Sequence, residues 1–331
     1  MKAALPILKY ILLLAIGALL LWLAFRGQDL SKILSELKNA NYNWVFLSVL
    51  FSFVAHYARG LRWKMLVKPL GYSPSNMNMF NAVMVGYLAN LAVPRMGEVS
   101  RCGVLTKTDK VPLQSLVGTV IVERIIDVLF LLGILVLAVL LEFNTIKDFL
   151  YSNIINPLLD KFQNAQASLI LLLVLVAIFF IVFILIKKYH TTLLNNKLYA
   201  KIWNVLLGFK DGILSVNKME RKGLFIFYSI LIWAMYTLST WVCFFAIEPT
   251  SGLSLSTALF VMAVGGIGMS APVQGGIGAY EAAIQIALLV YGVSSSDGLS
   301  YATLNHSSQI LSILVVGSIS LLFIFINNKK K

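Results

Sequence analysis

Acidic residues are scarce: Asp and Glu number 14 against 27 Lys and Arg in 331 residues, and charge of both signs totals 12% of the chain. An ordinary soluble domain carries about 25%, so the composition excludes a soluble enzyme. Cysteine and histidine are equally thin. Cys102 and Cys243 lie far apart with no CxxC spacing, and His56, His190 and His306 are scattered. Neither a disulfide framework nor a metal site is expected, and no cofactor is expected. Gly266, Gly268 and Ala271 fit G-x-G-x-x-A, but that fingerprint has meaning only between a strand and a helix, and no strand–helix alternation surrounds it. A Walker loop, a Ser/His/Asp order and an HExxH motif are missing. So are low-complexity linkers, and residues 1–331 read as one polytopic domain.

What is present is apolar: 59% of the chain, with a mean hydropathy of +0.85. The net charge of +13 would suggest nucleic acid in a soluble protein. Here the basic residues sit between hydrophobic runs instead of forming one patch, which points to a membrane surface and not to nucleic acid.

Runs near or above the requirement of about 20 residues for crossing a bilayer fall near 7–25, 44–58, 112–141, 169–186, 224–247 and 301–326. The first continues through Trp22 to Phe25 with no small-residue cleavage site, so it reads as a retained anchor and not a secretory signal. Two further segments are apolar but interrupted. These are 77–105, broken at Pro94 and Gly97, and 255–292, broken at Pro272, Gly275, Gly276 and Gly278. The expected architecture is therefore all-α and integral to the membrane, with about six transmembrane helices and two re-entrant helical hairpins. Reading each hairpin as two full crossings keeps the same orientation and stays open.

Lys and Arg gather on one side of this arrangement: Lys2, Lys9, the stretches 59–110 and 187–222, and Lys329 to Lys331. Only Arg26, Lys32, Lys38, Lys147 and Lys161 fall on the other. The positive-inside rule then places both termini in the cytoplasm, in the cell (inner) membrane. Stretch 187–223 has apolar residues at helical spacing among lysines and reads as a helix on the inner leaflet. Residues 30–37 and 144–162 read as interfacial caps on the outer side.

The two broken segments share a register. VGYLANLAVPRMGE (85–98) and VGGIGMSAPVQGGI (264–277) each place a Val-Gly pair before the proline and a glycine three residues after it. Their flanking spans run in opposite senses, so 44–141 and 224–326 are expected to be inverted repeats. Lipid cannot satisfy a free backbone group, so broken helices survive at depth where they are buried or line a wet cavity. Paired breaks in inverted halves point to a transporter-like site. Ordinary small-residue helix packing is the plainer explanation of the same glycines.

Glu123, Arg124 and Asp127 lie within the run 112–141. Facing lipid, three charges would cost on the order of 7–10 kcal/mol, so they are expected to be paired or wet. Glu123 and Asp127 share one helical face, where two carboxylates can meet an arginine from the first hairpin. That hairpin supplies Arg95, Glu98 and Arg101, and a planar guanidinium suits a lipid phosphate. A structural Glu–Arg pair and ordinary cytoplasmic-end arginines are the plainer alternatives. The second hairpin offers Gln274 and Glu281. Asp127 lies 33 residues after Pro94 and Asn305 lies 33 after Pro272, so the last span offers Asn305, His306 and Gln309 where its counterpart offers acids. A lone histidine such as His306 is more often packed than a proton carrier.

RGLRWKML (59–66), VPRMGEVSR (93–101), VERIIDVL (122–129) and APVQGGIGAYE (271–281) together resemble the transmembrane region of the lysylphosphatidylglycerol synthases, also called the flippase-like domain. The resemblance covers most of the chain. It implies binding or movement of a phospholipid, an aminoacylated phosphatidylglycerol, or a polyprenyl or glycolipid. Full synthases carry a separate cytosolic domain that transfers lysine from charged tRNA. This sequence stops at Lys331 after its last hydrophobic run, so lysyl transfer is not expected. The expected partners are membrane lipids with phosphate-bearing headgroups, with a homo-oligomer or a separately encoded lipid-modifying enzyme as further options. A membrane-embedded headgroup transferase using Glu123 and Asp127 as acid and base is the alternative reading.

Overall fold

A computed structural model describes residues 4–157, 188, 196 and 221–329. The chain divides into two units, Met1–Glu142 with Glu220–Lys331, and Phe143–Met219. The described residues are helical and contain no strand.

In the first unit, α1 (Ala4–Phe25) turns through 92° into α2 (Leu30–Asn39). Asp29 caps α2, its carboxylate accepting from the Ser31 and Lys32 amides. α2 buries Ile33 beside Ala24 and Leu299 and leaves Leu30 and Leu34 exposed. α3 (Tyr42–Val67), α4 (Asn76–Ala92), α5 (Met96–Asp109) and α6 (Leu113–Leu141) follow. After the second unit come α8 (Lys222–Phe244), α9 (Leu255–Met269), α10 (Ala279–Leu289) and α11 (Ser295–Lys329). Among the described residues α3, α6, α8 and α11 are long and apolar enough to cross a bilayer, and counting the bent pair α1–α2 as one span gives five. The chain is thus an all-α membrane protein. The second unit is described over α7 (Phe143–Leu150) and a short π-helical turn, Tyr151–Ile155. The expected span 169–186 and nearly all of 187–223 lie outside the described residues.

Both interrupted segments are helical hairpins. α4 stops at Ala92 because Pro94 forces Val93 out of the α region, and Val93 is extended at φ −136° and ψ 121°. Arg95 then takes a left-handed conformation, φ 62°, and α5 starts at Met96. α4 and α5 touch backbone to backbone at Gly97: a Cβ there would lie 2.3 Å from the Gly86 carbonyl and 2.6 Å from the Asn90 amide nitrogen. Asn90 also accepts the Gly97 N–H at 2.6 Å. The second break is built differently. Val273 is extended and Gly275, Gly276 and Gly278 all have positive φ. Glycine reaches that region without the Cβ penalty.

α3 and α8 pack antiparallel, since Ser48 and Ser52 meet Ser239 while Arg62 meets Ser229. The other neighbours pair off in a regular way. α4 packs on α5 as α9 does on α10, and α3 on α4 as α8 does on α9. α11 lies on α4 as α6 lies on α9. The hairpin breaks meet: Leu91 at the end of α4 packs over Gly275. α1 seals the second break, with Gly17 and Leu21 against Gly278.

Candidate functional site

α3 continues well past residue 58, where the apolar run ends, and carries Arg59 and Arg62 inward, three residues apart on one face. α6 presents Glu123 and Asp127 to them. Arg59 Nη1 donates to Glu123 Oε1 at 3.1 Å and to Asp127 Oδ2 at 2.6 Å. Arg62 Nη2 donates to Asp127 Oδ1 at 2.5 Å and to Glu123 Oε1 at 3.5 Å. From α5, Arg101 brings Nη1 to 2.9 Å from Glu123 Oε2, an ion contact outside hydrogen-bond alignment. Its guanidinium lies 4.5 Å from the centre of the Trp63 ring, and Trp63 is itself fixed by donating to Thr119 at 2.9 Å.

All five charged side chains are buried, Glu123 and Arg62 completely. Three guanidiniums face two carboxylates, leaving one positive charge in excess. Several donors stay unspent: Arg59 Nε, Arg62 Nε, and Arg101 Nε and Nη2 are buried without a hydrogen-bond partner. Arg59 and Arg101 line a cleft with Arg124, Glu98, Tyr87, Asn90, Val83, Gly86 and Gly97. Its volume of about 10 Å³ holds about one water.

Arg124 stands at the edge of the cluster. Its side chain is 43% exposed and lies 3.8 Å from Glu98, 3.9 Å from Glu123 and 3.8 Å from Asp127. Arg95 lies outside the cluster, exposed at the head of α5. The first hairpin therefore brings Arg101 to Glu123 and Glu98 to Arg124 of α6 but leaves Arg95 apart. The sequence pattern does not single out the arginines of α3, because their charge ends the apolar run. The available signal is that no proline falls between residues 58 and 67, and the single Gly60 is tolerated inside a helix.

At the second break, Glu281 in the first turn of α10 accepts the Gly278 N–H at 2.6 Å through Oε2. Its Oε1 lies 2.6 Å from His306 Nδ1, and His306 Nε2 lies 3.0 Å from the Gly275 carbonyl oxygen. Asn305 donates to the Tyr280 hydroxyl at 2.9 Å. Gln274 Nε2, Asn305 Oδ1 and Gln309 Nε2 are buried without a partner. Gln274, Glu281, Asn305 and His306 thus gather around the Gly275–Gly278 loop, on the α10–α11 side of the molecule.

Residues 10–317 match the family model described as the lysylphosphatidylglycerol synthase TM region. The chain belongs to that family. It is also similar to the UPF0104 membrane protein MJ1595 of Methanocaldococcus jannaschii, 33% identical over 124 residues, which is 37% of this chain and 34% of that protein. The chain thus aligns with about a third of that relative's length. No solved structure matches it. Family membership, with the long apolar helices, makes this a membrane protein associated with lipid.

Proposed function

We propose that this protein binds the phosphate-bearing headgroup of a membrane lipid and carries it between leaflets, with the arginine cluster of α3, α5 and α6 as the headgroup site. The observation that carries the reading is the buried excess of guanidinium over carboxylate beside a cleft, whose lining arginines leave Arg59 Nε, Arg101 Nε and Arg101 Nη2 unspent. A phosphate oxygen supplies both the missing charge and the missing acceptors. Arg101 and Arg59 contact the phosphate; Arg124 and Glu98 stand at the entrance, where Glu98 also meets a cationic headgroup. Arg95, exposed at the tip of the first hairpin, makes the first encounter.

In the described conformation the cleft takes about one water, so headgroup entry requires the α4–α5 hairpin to move from α6. The pairing of neighbours between α3–α6 and α8–α11 supports reading 44–141 and 224–326 as inverted repeats. In such repeats one hairpin shifts against the other around a site between them. The arrangement favours binding over acid–base chemistry by Glu123 and Asp127, because all four of their carboxylate oxygens already face guanidiniums.

The test is reconstitution into vesicles carrying trace labelled phosphatidylglycerol, lysylphosphatidylglycerol or polyprenyl phosphate, with leaflet exposure read by a membrane-impermeant quencher. Movement of one of these lipids, reduced at least tenfold by Arg101→Gln, is expected. If no lipid moves faster than in empty vesicles, or if Arg101→Gln leaves the rate unchanged, the reading fails.

A further inference from the structure

Polarity at the second hairpin break is not basic: residues 270–281 and 301–317 contain no lysine or arginine. Glu281 faces the loop with both oxygens engaged, Oε2 by the Gly278 N–H and Oε1 against His306 Nδ1, each at 2.6 Å. The atoms left over belong to neutral amides. Gln274 Nε2, Asn305 Oδ1 and Gln309 Nε2 are buried with no hydrogen-bond partner among the described residues. Gln274 and Asn305 are 7% and 4% exposed. Burying an amide atom without a partner is destabilising, so three gathered at one place require a partner from outside the fold.

Local structure brings the three amides together. Gln274 sits in the loop next to Gly275, whose carbonyl lies 3.0 Å from His306 Nε2. Asn305 is fixed by donating to the Tyr280 hydroxyl at 2.9 Å. Gln309 follows one turn later, four residues after Asn305 and three after His306, so it shares their face of α11. That face continues to Gly317, where a Cβ would lie 2.9 Å from Leu88 Cβ of α4. The row therefore passes from the loop towards α4. Leu91 of α4 covers Gly275, and its chain neighbour Asn90 lines the arginine cleft. Amide row and arginine cleft meet at the same last turn of α4.

We infer that Gln274, Asn305 and Gln309 form a subsite for the hydroxyl groups of a polyol, the glycerol or sugar portion of a lipid headgroup. The pattern of unspent atoms selects that chemistry. Phosphate oxygens only accept and an ammonium only donates, so neither satisfies two donors and one acceptor together. A hydroxyl does both, and neighbouring hydroxyls on one polyol match amides set in a row. An uncharged lining also suits groups that bring no charge to be buried.

The subsite rests on the headgroup reading in one respect: the arginines hold the phosphate while the polyol reaches past the end of α4 to the amides. Leu91 covers the loop in the described conformation, so the hairpin movement that admits the phosphate also uncovers the amides. The two breaks then divide recognition. The first selects for the phosphate and the second for what the phosphate carries.

Three lipids with the same acyl chains and the same charge supply the test: phosphatidylglycerol and phosphatidylinositol, which carry free hydroxyls, and phosphatidylpropanol, which carries none. Their retention by the full chain, purified in detergent, is read in direct competition by native mass spectrometry. At least one polyol lipid is expected to be favoured over phosphatidylpropanol by about tenfold or more, since a site built to pair a hydroxyl rejects the analogue lacking it. Gln309→Leu and Asn305→Leu are expected to bring that ratio down to about twofold or less, with phosphatidylpropanol retained as before. Gln309→Leu removes an unpaired amide, so its thermal unfolding midpoint is expected to be unchanged or raised, which separates lost preference from lost folding. Arg101→Gln is expected to weaken retention of all three lipids and leave their ratio alone. If Arg101→Gln changes nothing while the preference exists and vanishes in Gln309→Leu, the arginine reading fails and the polyol subsite stands. Equal retention of all three lipids by the unsubstituted protein, or a preference that survives both Gln309→Leu and Asn305→Leu, overturns the subsite alone, and the amides then hold water. Retention of none overturns both.

Discussion

Arg62 reaches Asp127 Oδ1 with Nη2 at 2.5 Å while its Nη1 donates to Ser229 of α8 at 3.3 Å. One fully buried guanidinium therefore joins α3 to α6 and to α8. Removing the acid leaves Arg59 and Arg62 sharing Glu123 alone, and breaking a buried pair from one side costs about 3–5 kcal/mol. Asp127→Asn is expected to lower the thermal unfolding midpoint in detergent sharply. An unshifted midpoint would mean that water reaches these arginines freely.

Arg124 provides the contrast. It is partly exposed and its ion contacts are 3.8 Å or longer, so Arg124→Gln is expected to change stability by less than about 1 kcal/mol. In the vesicle assay the same substitution is expected to slow headgroup movement, separating a role at the entrance from a role in the fold.

Two glycines of α5 make a matched pair of predictions. Gly97→Ala drives a methyl group into the Gly86 carbonyl and the Asn90 side chain, and is expected to destabilise by about 1–3 kcal/mol. At Gly103 a Cβ meets nothing within 4 Å, so Gly103→Ala is expected to be neutral or to stabilise by up to about 1 kcal/mol through helix propensity. Chemical denaturation of both variants in the same detergent decides the point.

On α2, Lys32 pairs with Asp297 at the start of α11 and lies 3.9 Å from Glu36. The hydrogen bond with Asp297 holds its ammonium above the ordinary lysine value. A raised cation stabilises below its free value and loses that contribution as the pH climbs through its bound value, here above about 10.4. The Lys32 side chain is 44% exposed, so Lys32→Gln is expected to cost under about 1 kcal/mol and less in high salt.

Much of this was readable from residue order because bilayer physics is severe. Pro94 and Pro272 with their following glycines marked both hairpin breaks, and the unaffordable charges of α6 demanded partners. Which partners came was less legible. Arg101 was foreseeable from its place beside the first break. Arg59 and Arg62 were not, because an arginine at the end of an apolar run looks like an ordinary cytoplasmic flank until its helix is seen to continue inward. His306 and Glu281 are 25 residues apart, and only the tertiary arrangement shows that both ring nitrogens face acceptors.

The two hairpin tips do not carry equal loads. A Cβ at Gly278 would strike the backbone of α1 at Leu21 N, 2.5 Å away, whereas Arg95, Met96 and Val99 at the opposite tip stand exposed. Any swing of the second tip must drag an entire anchoring helix with it or tear free of it. The first tip instead turns those three residues outward, so the ballast sits at the second end.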